Sequence, residues 1–426
     1  MIRKSGKRFS EKIMLKQKLG GTILTRIVTK AWSALALAAL FSFPAHAQKA
    51  YGPGVSDTEI KLGQSTPLSG PASAFGAGAG RAVVGYFDWL NKQGGINGRK
   101  ISFTQLDNAY SAPKAVEQSR KLVEDVGILA EVGTIGTVPN VAIQKYLNSK
   151  QVPQLLITAG GRRFNDPKNF PWTIPLYPDF ETEGRVIAKY ILETKPAARI
   201  GVLYQNDDYG KDYVKGLRAG LGEKASQIVL QVSYELTDPT IDSQIVQLKA
   251  AGIDTLIEQS AAKAAAQSIR KVHELDWHPL HIIGASTASV ETVLKPAGLG
   301  ASKGLVTTQF LKQPGDPAWA DDDEVKAYKA FLAKYAPSTN PDDYSVLVAY
   351  MNVHALTTVL KKCGDELTRE NLIHQATSLH GERMPMMLPG ITISTTPEDY
   401  AAFKALRIAT FDGTSWTLSA DPISAE

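Results

Sequence analysis

Hydrophobic and polar positions along most of this chain follow two alternating periods. Short apolar runs of strand length occupy residues 60–65, 100–106, 128–132 and 154–158. Between them, over 76–92, 113–126 and 138–148, apolar positions recur every three or four residues, as in helices buried on one side. In 76–92 that face is Val83, Val84, Phe87 and Leu90, and 113–126 opens with Pro113, which suits a first helical turn. The order β-α-β-α-β-α-β predicts a parallel sheet covered on both faces. Residues 165–178, with four prolines and no period, interrupt the series. It then resumes with helices expected at 183–193, 209–221, 241–250 and 262–275 and strands at 199–204, 228–234, 255–259 and 281–284. A strand at 304–309 follows, then helices at 321–335, 343–361 and 368–378. Strands are expected at 391–394, 406–411 and 416–418, the last two joined by a turn at Asp412-Gly413. The same unit occurs twice without an obvious sequence repeat, which suggests two similar α/β lobes.

The first 47 residues are of another kind. Nine Lys and Arg against one acid, Glu11, lead into an apolar run over 31–43 and an Ala45-x-Ala47 end. These are the parts of a secretory signal, read here as residues 1–47 with cleavage after Ala47. The basic stretch is long enough that Met1 and Met14 both stand as possible starts. The leader changes the charge picture. The whole chain has 47 Lys and Arg against 42 Asp and Glu, a net +5, but without the leader the balance is about −3. Basicity therefore gives no argument for nucleic-acid binding, and no nucleic-acid partner is expected. Cys363 is the only cysteine, so no internal disulfide can form, and its place late in a helical pattern reads as packing.

Catalytic and metal motifs are not in evidence. Gly76-x-Gly78-x-Gly80 lies within a helical pattern and lacks dinucleotide spacing, and no glycine cluster is followed by Lys-Ser/Thr. Asn97-Gly98 fits a two-residue hairpin turn. His273 and His278 are five apart with Pro279 behind them, which is not zinc-protease spacing. Asp321-Asp322-Asp323-Glu324 suits a helix N-terminus. Nothing pairs a nucleophile with a base, so no enzyme, no cofactor and no metal are expected. Small polar loops, however, follow the strands at 66–74, 133–138, 158–163, 205–209, 259–261 and 285–289. Ligands of open α/β sheets sit at such strand ends, against helix N-termini, so two lobes facing each other across these loops would enclose a cleft.

Several segments carry a family resemblance. They are Glu59-Ile60-Lys61-Leu62-Gly63 through Ser69-Gly70-Pro71, Gly94-Gly95-Ile96-Asn97-Gly98-Arg99, Asp107-Asn108, Leu203-Tyr204-Gln205-Asn206-Asp207-Asp208-Tyr209-Gly210 and Leu388-Pro389-Gly390. In order and spacing the chain resembles periplasmic solute-binding proteins of the leucine/isoleucine/valine-binding type. The resemblance implies two Rossmann-like lobes with parallel sheets joined by three crossovers, with the ligand cleft between them. It implies residues 48–177 plus 311–389 as lobe one and 178–310 plus 390–426 as lobe two. It implies a periplasmic monomer that delivers a small molecule to the membrane permease of an ABC importer. Carried over position by position, it implies ligand contacts at Phe75, Thr137, Gly160, Arg162, Tyr209 and Ser286. Ser286 stands where such proteins place the acid for a ligand ammonium, and Arg162 where a hydroxyl is usual. A buried ammonium without a counter-charge costs several kcal/mol, whereas an Arg facing a carboxylate adds roughly 1.5–3 kcal/mol. The expected ligand is thus a carboxylate without an amine, aromatic or aliphatic, walled by Phe75 and Tyr209. Binding of branched-chain or other amino acids or amides stays open, with Arg162 or Arg163 facing solvent and Asp207, Asp208 or Glu181 as the acid. So does a sensor that passes its closed state to a regulator.

Overall fold

The computed structural model describes residues 49–70 and 72–425, so the leader lies outside the described residues. Two sheets organise the chain. The first has the order β3-β2-β4-β5-β6, all parallel, from β2 (Glu59–Thr66), β3 (Lys100–Asp107), β4 (Ala130–Val132), β5 (Gln154–Ile157) and β6 (Thr173–Pro175). Helix α1 (Ser73–Lys92) follows β2, α2 (Ala112–Arg120) follows β3 and α3 (Thr137–Ser149) follows β4. Val83, Tyr86, Phe87 and Leu90 of α1 pack into one core with Ile60 and Leu62 of β2. Ala115, Leu122, Ile143 and Leu147 of the α2 and α3 region make a second core.

The second sheet has the order β14-β13-β11-β10-β9-β7-β8, with β15 on β13. Its strands are β7 (Ile200–Gln205), β8 (Ile228–Tyr234), β9 (Thr255–Gln259), β10 (Leu280–Ile283), β11 (Val306–Gln309), β13 (Ala405–Phe411), β14 (Trp416–Leu418) and β15 (Ile423–Ser424). The β7 to β11 ladder is parallel, while β13 runs antiparallel to β11 and forms the expected hairpin with β14. Helices α4 (Phe180–Thr194), α5 (Asp208–Leu221), α6 (Asp242–Ala250) and α7 (Ala262–Glu274) belong with it. Helices α4 and α5 approach closely through glycines: a Cβ on Gly184 would lie 2.5 Å from the Tyr213 carbonyl oxygen, and one on Gly216 2.2 Å from that of Glu181.

The chain passes three times between the sheets. It leaves the first after β6. It returns after β11 to place α8 (Asp323–Tyr335) and α9 (Tyr344–Lys362) against α1, and crosses again to supply β13–β15. In both sheets the first strand lies between the second and third, β2 between β3 and β4 and β7 between β8 and β9. These are topological switch points, where the diverging loops of a doubly wound sheet leave a crevice.

Local expectations fared unevenly. Asn97 and Gly98 both take positive φ, 49° and 81°, and Ile96 bridges Arg99 as a two-residue hairpin requires. The helix expected over 113–126 is regular only to Arg120, continues as a wider π turn over Lys121–Val126, and stops at left-handed Gly127. No strand forms at 391–394; Ile393 only bridges Glu382. Ile391 and Ile393 are buried, but the loop is pinned instead by Asn165, which donates to Asp399 Oδ1 at 2.7 Å and accepts from the Tyr400 N–H at 2.7 Å. Four strands were unforeseen, one of them β15 at the C-terminal end. The others are β6, inside the proline-rich interruption, and β1 (Ala50–Tyr51) with its parallel partner β12 (Glu366–Leu367).

Candidate functional site

The loops at the two switch points meet around a cavity of about 90 Å³. From the first sheet come Ala72 and Phe75 at the start of α1, Tyr110 after β3, Ile135, Gly136 and Thr137 after β4, and Thr158 and Ala159 after β5. From the second come Gln205, Tyr209, Leu236, Ala261 and Ser286. Tyr177 and Phe180, on the first crossing, and Tyr344, Ser345 and Val348, at the start of α9, close the sides. All six strand-end loops anticipated from the sequence contribute to the wall.

The wall is largely aromatic. Phe180 meets Tyr209 edge to face, with centroids 4.9 Å apart, and Tyr177 lies 6.0 Å from Phe180. The Tyr209 hydroxyl donates to the Ser260 carbonyl at 3.1 Å and lies 2.8 Å from Ser286 Oγ. The Tyr177 hydroxyl donates to that of Tyr344 at 3.4 Å. Burial holds the phenols of Tyr177, Tyr209 and Tyr344 well above the usual tyrosine range, so all three are neutral donors at any physiological pH.

No side chain lining the cavity carries a charge among the described residues. Polarity comes from helix ends instead. Ala72, Gly136 and Ala261 are the residues just before α1, α3 and α7, and none offers a side chain to cap the first turn. By contrast α4, α5 and α9 begin behind Asp179, Asp207 and Asp343, whose carboxylates accept from their first turns. N-termini without a side-chain cap of their own leave N–H groups and partial positive charge at the cavity's edge, and at α3 it is the Tyr110 hydroxyl that faces them. Beneath Tyr209 and Tyr344 lies Glu183. Its Oε1 accepts from the Ala285 N–H at 2.8 Å and from Thr308 Oγ1 at 2.8 Å, and burial raises its pKa.

Of the residues anticipated as ligand contacts, Phe75, Thr137, Tyr209 and Ser286 come together on this wall, while Gly160 and Arg162 lie off it. Gly160 instead lets the first crossing pass: its carbonyl accepts from the Phe180 N–H at 2.8 Å, and a Cβ there would sit 2.1 Å from the Pro178 oxygen. Arg162, expected to turn its charge on a ligand, is placed off this wall. Its guanidinium is half exposed and lies 3.3 Å from Asp179, whose carboxylate already balances it. Arg163 pairs with Asp208 at 3.2 Å. The acids considered for a ligand ammonium are also committed elsewhere: Asp207 caps α5 and accepts from Gln205 at 2.7 Å, and Glu181 lies 3.9 Å from Arg185. Sequence reasoning missed Tyr110, Tyr177, Phe180 and Tyr344. Only Tyr110 had a local signal, since it follows Asp107-Asn108, a pair whose side chains readily fold back on the backbone. The histidines of 273–281 do not converge: His278 is exposed beside Asp276, and His281 is buried against Glu258.

Two α/β lobes with a cavity where their switch points meet are the architecture of a two-lobed binding protein. Residues 59–415 match the family described as Periplasmic binding protein, and the chain belongs to that family. It is 25% identical over 241 residues to the "Leu/Ile/Val-binding protein homolog 7" of Brucella suis biovar 1 (strain 1330). That match covers 55% of this chain and 60% of the relative's length. Among solved structures it resembles a branched-chain amino acid ABC transporter protein from Thermus thermophilus with bound valine. There the TM-score is 0.76 at 18% identity, covering 87% of this chain and 97% of that one. It also resembles a fatty acid ABC transporter substrate-binding protein from Thermomonospora curvata, with TM-score 0.67 at 20% identity over 89% and 95% of the two chains. The family consists of binding proteins, not enzymes. Among the described residues no helix is long and apolar enough to cross a membrane.

Proposed function

We propose that this chain is the periplasmic receptor of an ABC importer, and that it captures a small organic acid with an aromatic or apolar body by closing its lobes on it. The observation that carries this reading is the cavity itself: aromatic walls, no charged lining side chain, and two helix N-termini at its edge, those of α1 and α7, that no side chain of their own caps. Such N-termini hold a carboxylate without a cation. An α-amino acid brings an ammonium as well, and Glu183, a buried acid beneath the wall, already accepts from Ala285 and Thr308. The thermophile relative with bound valine and the fatty-acid relative show that this fold is associated with both kinds of ligand. The lining here favours the second kind. The carboxylate reading is therefore kept, with helix ends in the place first given to Arg162. The partner is the importer's membrane permease, and the receptor acts as a soluble monomer after its leader is removed.

A thermal-shift screen followed by calorimetry tests the ligand class, because a tight ligand stabilises by mass action. Benzoate-type and aliphatic acids should raise the melting temperature, and their amides and leucine should not. Submicromolar binding of leucine, isoleucine or valine with no response to any acid overturns the reading.

A further inference from the structure

We propose that Tyr110 sets the length of ligand this cavity accepts, because its phenol fills the seat in front of helix α3 and offers one O–H donor in place of the helix's own N–H groups. The proposal rests on the reading of the cavity as the ligand site.

The backbone is built to put the ring there. Ala109 and Tyr110 both have left-handed φ, 49° and 60°. Side-chain-bearing residues avoid that region, because Cβ there crowds the following carbonyl oxygen. Two neighbouring side chains hold them in it. Asp107 Oδ1 accepts from the Ala109 N–H at 2.9 Å, and Asn108 Oδ1 from the Tyr110 N–H at 2.9 Å. Asp107 is itself fixed by Ser69 Oγ at 2.6 Å and Lys114 Nζ at 2.9 Å, and Asn108 is fully buried. Two consecutive strained residues held by such a scaffold are a feature of sites where a side chain has a position to keep.

That position is over Gly136. A Cβ on Gly136 would lie 2.3 Å from Tyr110 Cε2, and Gly136 has a φ of 96°, so glycine is required there on both counts. The Tyr110 hydroxyl faces the backbone N–H groups of Thr137 and Val138, the first of α3, which no side chain of its own caps. A phenol oxygen accepting backbone N–H bonds keeps its own proton for another acceptor, and becomes a stronger donor for it. Tyr110 therefore relays the helix end into the cavity and shortens the cavity by the depth of its ring. A carboxylate resting directly on the amides of α3 would need the space the ring occupies.

The test uses benzoate and 4-phenylbutanoate, three methylenes longer, measured by calorimetry on the native protein, Tyr110→Gly, Tyr110→Asn and Tyr110→Phe. Gly and Asn both tolerate left-handed φ, so these variants keep the loop and the fold. Both should shift the preference between the two acids toward 4-phenylbutanoate by tenfold or more. Tyr110→Phe keeps the ring and loses the donor, so it should weaken whichever acid binds and leave the preference within about twofold. An unchanged preference in Tyr110→Gly and Tyr110→Asn, or an equal shift in Tyr110→Phe, overturns the proposal. If the native protein binds neither acid but Tyr110→Gly binds 4-phenylbutanoate, the role of Tyr110 stands and the ligand class is wrong. If no form binds either acid, both readings fall.

Discussion

Arg162 donates its backbone N–H to Asp212 Oδ2 at 2.9 Å, which ties the loop after β5 in the first sheet to helix α5 beside the second. Its neighbour Arg163 makes a second tie, to Asp208 at 3.2 Å on the same helix. Arg162, first read as a ligand contact, thus links the two sides of the cleft together with its neighbour. Asp212 is buried, while Arg163 and Asp208 are both near half exposed. Replacing Asp212 with Ala should therefore cost the closed form roughly 1.5–3 kcal/mol, the range for a hydrogen bond to a charged group. Asp208→Ala should cost under about 1 kcal/mol, as exposed pairs do. Small-angle scattering of unliganded Asp212→Ala should show a larger radius of gyration than the native protein, with affinity for any ligand lowered about tenfold or more. Arg162→Ala leaves the backbone bond in place and should shift affinity less than about fivefold. A hundredfold loss there would return Arg162 to the ligand.

The Tyr209 ring and its hydroxyl have separable roles. Tyr209→Phe keeps the edge-to-face contact with Phe180 but deprives the Ser260 carbonyl and Ser286 Oγ of their partner. Thermal melts should show a loss of about 1–3 kcal/mol, the cost of stranding buried polar groups, with ligand affinity changed little. Tyr209→Ala removes part of the wall as well, and calorimetry should show affinity down by about tenfold or more. Equal affinities for the two variants would mean the ring is not a wall.

Glu183 gives a pH signature. Its folded pKa is raised by burial, so between its unfolded value, about 4.3, and that raised value the native state binds more protons than the unfolded one. Stability therefore falls as pH rises through that window and does not recover above it. Glu183→Gln keeps an acceptor for Ala285 and Thr308 and cannot ionise. The melting temperatures of native and variant protein should run close together near pH 4 and separate in the variant's favour as pH rises. Parallel curves over pH 4–8 would contradict the assignment.

His354 should act in the opposite direction. It is packed between Tyr86 and Tyr350, with centroids 4.8 and 4.5 Å away, and desolvation lowers its pKa from 6.5 to about 4. The unfolded state then binds the extra proton, so stability is complete above pH 6.5 and is lost as pH falls toward 4, by up to roughly 3 kcal/mol. Its Nε2 has no hydrogen-bond partner among the described residues, so an apolar ring should be tolerated. Denaturant unfolding of His354→Phe should show a flatter loss between pH 6.5 and 4 than the native protein.

The periodicity was legible where a run was bounded on both sides by loop residues: the expected strands 228–234 and 255–259 coincide with β8 and β9. It failed where an element has no run of its own. β6 is three residues among prolines, and β1 exists only through Glu366 and Leu367, some three hundred positions away. Residues 391–394 alternate like a strand, yet Ile391 and Ile393 are buried by a loop that Asn165 pins, which a local pattern cannot reveal. At the site, the loops were readable because they end strands. The aim of Arg162 was not, because its counter-charge is Asp179, the cap of a helix on the far side of the first crossing. Tyr110 was hidden for a related reason: positive φ depends on hydrogen bonds made by Asp107 and Asn108 to the backbone.

The three passages between the sheets have a consequence for the order in which the molecule can be made. β11 finds its second neighbour, beyond β10, only in residues 405–411, and α1 is covered only when residues 344–362 arrive. A chain released from its N-terminus therefore has every strand of its first sheet by residue 175, yet neither half is finished until residues 344–362 cover α1 and residues 405–411 extend the second sheet. Contacts so distant along the chain carry a large loop-closure cost and form late. Neither half can then be completed independently of the other, since each waits on residues from the last quarter of the chain.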